Sequence, residues 1–514
     1  MMETGAKENG RMLVQAPICE KQLVTELSAD FSLPDYQPPV KRLLRVTATA
    51  QPADQFIGAG TVDFSGNMDY AILYLGEDGG MYCTSQSEEY QFSVPVEIPS
   101  DFEIGDGFLC YAESTPESVS GRVLAPRKIS VRCRLRSGMH LFGTMAPEET
   151  VSGASDDSIQ RLRKNAECVR LFYGVGAPFS LADEVLPEAP SENLRVVCAN
   201  AEVLMTEATA GSDSVNCRGE VCLKLLSCRD GSGELPGVIL RRIPFSQSVP
   251  VDGAAVNCDA VAVGTCTGIN ITVEEGRILC EATVLPQAWA RRNEAVSYTR
   301  DLYSTVADGE TEYADLTFRR ALKSGSGNFS LNQTLTLEEA GIRPGASVVD
   351  VMLFPSVTST ETEKGKLILS GKCRCHVIYT CEEDMGTQEF EIPFRYGTDG
   401  GGEEIAGCDA RVLPIVCRAR VDGERISVDA ELAVTISAYG SCHVTVLRSA
   451  RFGEALPAGD GGYTICYPTR DDTLWTVSKR YHRPVAEVCG MNPLSGSPAA
   501  DAPDSLSGVQ YLLV

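Results

Sequence analysis

Cys373-Arg374-Cys375-His376 comes closest in this chain to a reactive constellation. Two thiols and an imidazole so near each other are donors that zinc takes in tetrahedral geometry. The surrounding alternation opposes that use. On a strand Cys373 and Cys375 share one face and His376 takes the other, so the thiols read as core residues. Cys442-His443 meets the same objection. The histidines are four, His140, His376, His443 and His482. Gly400-Gly401-Gly402 lacks the Lys-Ser/Thr ending of a phosphate-holding loop, and no Ser stands in a Gly-x-Ser-x-Gly elbow. Acidic pairs abound because the net charge is −25, not because two carboxylates flank a reacting bond. Cys258-Asp259-Ala260 and Cys408-Asp409-Ala410 match each other but have no counterpart nearer the N-terminus, which argues against shared catalysis. The expectation is a protein that is not an enzyme, with no cofactor and no metal.

Composition agrees with a binding role. A chain of 514 residues exceeds one core, and its 43% hydrophobic content is that of ordinary globular protein. The negative charge disfavours nucleic acid and anionic membrane as partners. Twenty cysteines occur, none in a Cys-x-x-Cys pair, and most sit in strand-like runs as reduced core thiols. The N-terminal stretch lacks a signal-like apolar segment, and Val348–Phe354 falls far short of the roughly 20 residues of a membrane span. A cytoplasmic protein with no transmembrane segment is expected.

The elements that would position a binding surface recur. Phe31-Ser32-Leu33, Phe179-Ser180-Leu181 and Phe329-Ser330-Leu331 come first. Runs led by Gly66, Gly219 and Gly371 follow, then Phe92, Phe245 and Phe394, then Ile129, Ile278 and Ile426. The spacing of about 150 residues is domain-sized. After each Gly, apolar and polar residues alternate, as in Met68, Tyr70, Ile72 and Tyr74, or Cys373, Cys375, Val377 and Tyr379. Period two marks strands with one face on a core. The expected fold is mainly β: three tandem antiparallel sandwich- or barrel-like repeats at 1–150, 151–300 and 301–452. Short helices are expected around Ser158–Tyr173 and Thr311–Lys323, and a Gly/Pro/Ala-rich linker at 453–462.

The tail, 463–514, has its own pattern. A strand at Tyr463–Tyr467 precedes a helix opening at Asp472, a second opening at Pro484, and a last strand at Val509–Val514. Asp472 is placed to cap the first helix, and Pro484 suits a first turn. Leu474, Val477 and Tyr481 share a helical face, with Trp475 beside them.

Asp471-Asp472-Thr473-Leu474, Asn492 and this βααβ order resemble the LysM module. Set behind tandem β repeats, the tail makes the whole chain similar to the SPOCS–LysM spore-coat morphogenetic proteins of spore-forming clostridia. That resemblance implies a scaffold in the mother-cell cytoplasm, gathered on the forespore surface with the coat's basement-layer ATPase, stage IV sporulation protein A. In glycan-binding LysM modules the sugar lies between two loops. Their counterparts here supply Thr469, Arg470, Asp471, Asp472 and Thr473, and Met491, Asn492 and Pro493. Asp471 replaces the usual turn glycine, and one LysM copy holds a polymer weakly. A protein ligand is therefore expected in this groove, with peptidoglycan as the alternative.

Overall fold

The computed structural model describes residues 7–8, 11–12, 14–58, 60–99, 102, 107–145, 149–186, 193–229, 236–322, 324–382, 384–399, 404–456, 462–492, 506 and 509–514. Among these residues the fold is mainly β, with two short α-helices, both in the tail. No helix among the described residues is long and apolar enough to cross a membrane.

The long strands of the first region are β1 (Val14–Ser32), β2 (Val40–Ala50), β3 (Thr61–Gly76), β4 (Met81–Pro95), β5 (Leu109–Ala125) and β6 (Lys128–Met145). β1, β6 and β5 form one antiparallel sheet in that order, and β2, β3 and β4 form another. Alternation builds the core: Ile129, Val131, Cys133 and Leu135 of β6 are buried with Met68, Tyr70, Ile72 and Tyr74 of β3.

The same order follows twice more. β7 (Ile159–Val175) and β8 (Phe179–Val185) both pair with β13 (Arg277–Ser304), which pairs with β12 (Asp259–Glu274). Facing them is a meander of β9 (Leu194–Ala210), β10 (Ser214–Arg229) and β11 (Gly237–Pro250). Next, β14 (Ala307–Ala321) and β15 (Gly325–Thr336) pair with β20 (Arg425–Ala455), beside β19 (Gly407–Asp422). Their meander is β16 (Ser347–Glu363), β17 (Lys366–Cys381) and β18 (Asp384–Asp399). β13 and β20 continue past residues 300 and 452, where the sequence placed boundaries, and β20 takes up the first residues of the expected linker.

The landmark residues sort themselves by register. Gly66, Gly219 and Gly371 lie opposite Tyr90, Phe245 and Phe394, whose rings cover the space a Cβ would fill. In the first region the matching aromatic is thus Tyr90, not Phe92. Ile129, Ile278 and Ile426 each stand near the start of the long last strand. The Phe-Ser-Leu motif does not hold register. Phe31 pairs with Ile129, but the partners of Ile278 and Ile426 are Val185 and Leu335. Cys258-Asp259-Ala260 and Cys408-Asp409-Ala410 are likewise out of step, because Ala260 pairs with Ala290 whereas the residue opposite Ala438 is Cys408.

Two expected helices are strands. Ser158–Tyr173 is largely β7, and Thr311–Lys323 is largely β14, with Lys323 itself outside the described residues. Their charged residues permit helix locally, but ladders to the distal halves of β13 and β20 override that preference.

Candidate functional site

The tail holds the residues singled out from the sequence. β21 (Ile465–Cys466) pairs with β22 (Leu512–Leu513), and α1 (Leu474–Arg480) and α2 (Val485–Met491) pack on one side. Cys466, Leu474, Val477, Val488, Leu506, Leu512 and Val514 form the small core.

The cap differs from expectation. Thr473, not Asp472, is the N-cap of α1, and it shares a capping box with Thr476. Asp472 instead closes the turn before the helix. Its carboxylate accepts from the Thr469 amide at 2.8 Å, the Thr469 hydroxyl at 3.0 Å and Arg480 at 2.5 Å. The Thr469 amide, then Arg480 and the Thr469 hydroxyl, hold its pKa below the usual carboxylate range against burial. Asn492 joins α2 to β22: its amide nitrogen donates to the Val488 and Leu513 carbonyls, and its oxygen accepts from the Leu513 amide. Asp472, Thr473 and Asn492 therefore spend their polar groups on the fold. Thr469, Arg470 and Asp471 stay exposed, Met491 is half-buried, and Pro493 lies outside the described residues.

Trp475 is buried, but not in the tail's own core. Its ring meets Tyr303 edge-on at 5.0 Å, and its indole N–H donates to Asp301 at 2.8 Å. Lys479 and the Tyr313 hydroxyl converge on the same Asp301 carboxylate. The Tyr303 hydroxyl donates to the Arg483 carbonyl at 2.6 Å, and the His482 ring lies between the Ser304 carbonyl and Asp308. The distal end of β13 thus anchors α1. On the outer face of the tail sheet, Tyr463 (75% exposed), Ile465 and Tyr467 (73%) alternate with buried Cys466. Continuing the strand register sets exposed Tyr511 opposite Tyr467.

Sequence reading missed two features where the three sheet pairs meet. The first is a closed junction. Leu44, Val197 and Val349 cluster with Leu73, Leu226 and Ile378. The residues next in line are Arg45, Cys198 and Asp350, at matching places in β2, β9 and β16 opposite Leu73, Leu226 and Ile378. Arg45 and Asp350 form an ion pair whose side chains are 2% and 1% exposed, and Lys224 reaches the other Asp350 oxygen at 2.5 Å. Burial alone would raise the Asp350 pKa; Arg45 and Lys224 outweigh it and hold it low. His376 is buried alongside, and burial followed by Arg45 pushes its pKa down to about 3, so the ring is neutral. Cys373 and Cys375 point away from it into their own core. The Cys198 and Cys83 sulfurs lie 3.5 Å apart as free thiols.

The second feature is a central cavity of about 510 Å³, lined by residues of β2 and β5, β9 and β12, and β16 and β19. Glu113, Glu202, Asp409 and Arg411 face it, with Tyr111 and Trp289 in its wall. Burial raises the pKa of all three carboxyls, and Asp409 raises that of Glu113 further. Alternation could have shown that these residues point away from their own sheet-pair cores, but not that they enter a shared interior. The chain matched no family model, no curated protein and no solved structure.

Proposed function

We propose that the protein is a non-catalytic scaffold for spore-coat assembly. In this reading its three sheet pairs are SPOCS-like β-sandwich repeats, and residues 463–514 are a LysM-like tail. The tail docks the scaffold on the forespore surface, from the mother-cell cytoplasm, through a coat ATPase of the stage IV sporulation protein A kind. The observation that carries this is the open face of Tyr463, Ile465, Tyr467 and Tyr511, opposite a side fastened to Asp301 and Tyr303. A contiguous aromatic and aliphatic face held at fixed orientation suits a protein partner. The commitment of Asp472, Thr473 and Asn492 to internal bonds supports the same reading.

A second reading, peptidoglycan binding, draws on the same tyrosines, whose flat faces at strand spacing also suit sugar rings. The full chain and its Tyr463→Ser/Tyr467→Ser variant decide between them. The scaffold reading expects wild type to bind the purified ATPase on a biosensor, the variant to bind at least about tenfold more weakly, and neither to sediment with sacculi. Wild-type sedimentation with sacculi and no ATPase binding would overturn it in favour of the wall.

A further inference from the structure

We propose that the central cavity is a binding site for a small organic dication of the linear diamine class. The argument begins with the charges along its wall. Arg136 is paired with Glu117, Arg291 with Asp259, Arg319 with Glu20 and Arg374 with Glu389. Glu113, Glu202, Asp409 and Arg411 have no hydrogen bond or ion pair among the described residues. Glu113, Glu202, Asp409 and Arg411 all keep accessible surface that opens onto the cavity, yet burial by the surrounding protein still raises the pKa of the three carboxyls. Apart from those pairs three carboxylates face one guanidinium, and His140, Arg291 and Arg319 nearby favour the ionised forms less than burial opposes them. Carboxylates that their surroundings push toward the neutral form are stabilised as anions by a cation in the cavity, and a ligand of charge +2 can hold two of them ionised.

The spacing selects the kind of cation. No set of three His, Cys, Asp or Glu among the described residues is close enough to hold one metal ion. The carboxylates come from separate regions: Glu113 from β5, Glu202 from β9 and Asp409 from β19. The cavity volume, about 510 Å³, is that of a small-molecule site and far more than a metal ion fills. Separated negative charges in such a space fit a ligand whose positive charges are also separated, joined by methylenes. Trp289 and Tyr111, packed at 5.7 Å, offer aromatic surface for such a chain and its ammonium ends.

The wall is also asymmetric where the architecture is not. Thr49, Glu202 and Phe354 take matching places opposite Asp69, Cys222 and Arg374. Glu113, Val263 and Arg411 do so opposite Gly138, Gln287 and Thr435. Each ring of matching positions holds at most one carboxylate, so the threefold strand order presents a directional set of charges.

The test is calorimetric titration of the full chain with putrescine, with the uncharged diol of equal chain length, and with magnesium. Saturable one-to-one binding of putrescine alone is expected. The Glu113→Gln/Glu202→Gln variant should bind at least about tenfold more weakly, since two charge-assisted contacts are lost. Arg411→Met should bind several-fold more tightly, because a like charge is gone; this opposite sign tests the site even if the double variant does not fold. No saturable binding of putrescine by wild type, equal binding of the diol, binding of magnesium instead, or an affinity untouched by Arg411→Met would overturn the proposal.

Discussion

The closed junction and the central cavity are built on the same three strands, β2, β9 and β16, yet they treat charge in opposite ways. Arg45, Cys198 and Asp350 stand four residues before Thr49, Glu202 and Phe354. At the first level Asp350 is met by Arg45 and Lys224 and sealed from water. At the second, Glu202 meets no hydrogen-bond donor among the described residues and faces open space. A charge with its partner built in specifies which regions adjoin. A charge left without one marks a place where something else can bind.

The largest expected effect lies at the junction. Asp350→Ala leaves Arg45 and Lys224 without their shared anion, and should cost about 3–5 kcal/mol in denaturant unfolding. The double change Arg45→Met/Asp350→Leu should recover much of that, because an apolar pair of similar volume removes the sealed charge of Arg45 and leaves Lys224, which still donates to the Val351 carbonyl. Equal losses in the single and double variants would break the contrast drawn between the two levels.

Acidity should separate the levels next. The raised pKa values of Glu113, Glu202 and Asp409 mean that their protonated forms favour the fold. That contribution is full below the ordinary carboxyl range and fades as pH rises through the raised values. Asp350 has the reverse sign: its depressed pKa gives stability at neutral pH, lost as pH falls through the folded value. Other charges facing the cavity carboxyls, His140, Arg291, Arg319 and Arg411, favour their ionised forms and Glu20 opposes that, but burial outweighs the sum. Melting temperature should therefore rise on mild acidification below neutrality and fall at lower pH. Glu113→Gln/Glu202→Gln should blunt the rise and leave the fall.

The tail anchor is intermediate: the part-buried Asp301 carboxylate has three side-chain donors and the Leu302 amide. Asp301→Ala should free Trp475 and Lys479 and speed proteolytic release of residues 463–514, while the urea midpoint of the β regions moves little. An unchanged release rate would mean that the Tyr303–Trp475 contact holds the tail without the charge.

Legibility in the sequence followed how local each signal was. The strand alternation around Ile72, Leu225 and Val377 was plain, because period two is written in adjacent residues. β7 and β14 were not, because their conformation is set by ladders to strands more than a hundred residues away. Thr473, one residue past the expected cap, and Asp472, turned to Thr469 and Arg480, show how nearly alike two capping sequences read. Lys224 and His376 stand at the polar positions of their alternating strands, yet there one pair of sheets is pressed against another. Arg45 and Asp350 are 305 residues apart, and no local pattern joins them. Aligning Leu44-Arg45, Val197-Cys198 and Val349-Asp350 by strand register would have exposed the variable member beside a constant apolar one.

The smallest expected effect is the most telling for the cavity. Glu202→Gln alone keeps the side chain's size and removes a charge that burial already disfavours. Were Glu202 a structural residue like Asp350, losing its charge would destabilise the fold at neutral pH. Because it has no partner to abandon, the substitution should be neutral or stabilise by up to about 1 kcal/mol in urea unfolding. The same change should lower putrescine affinity. Stability held or gained together with binding lost is the pattern of a residue kept for a ligand. A marked loss of stability would instead place Glu202 with Asp350, as part of what holds the three regions together.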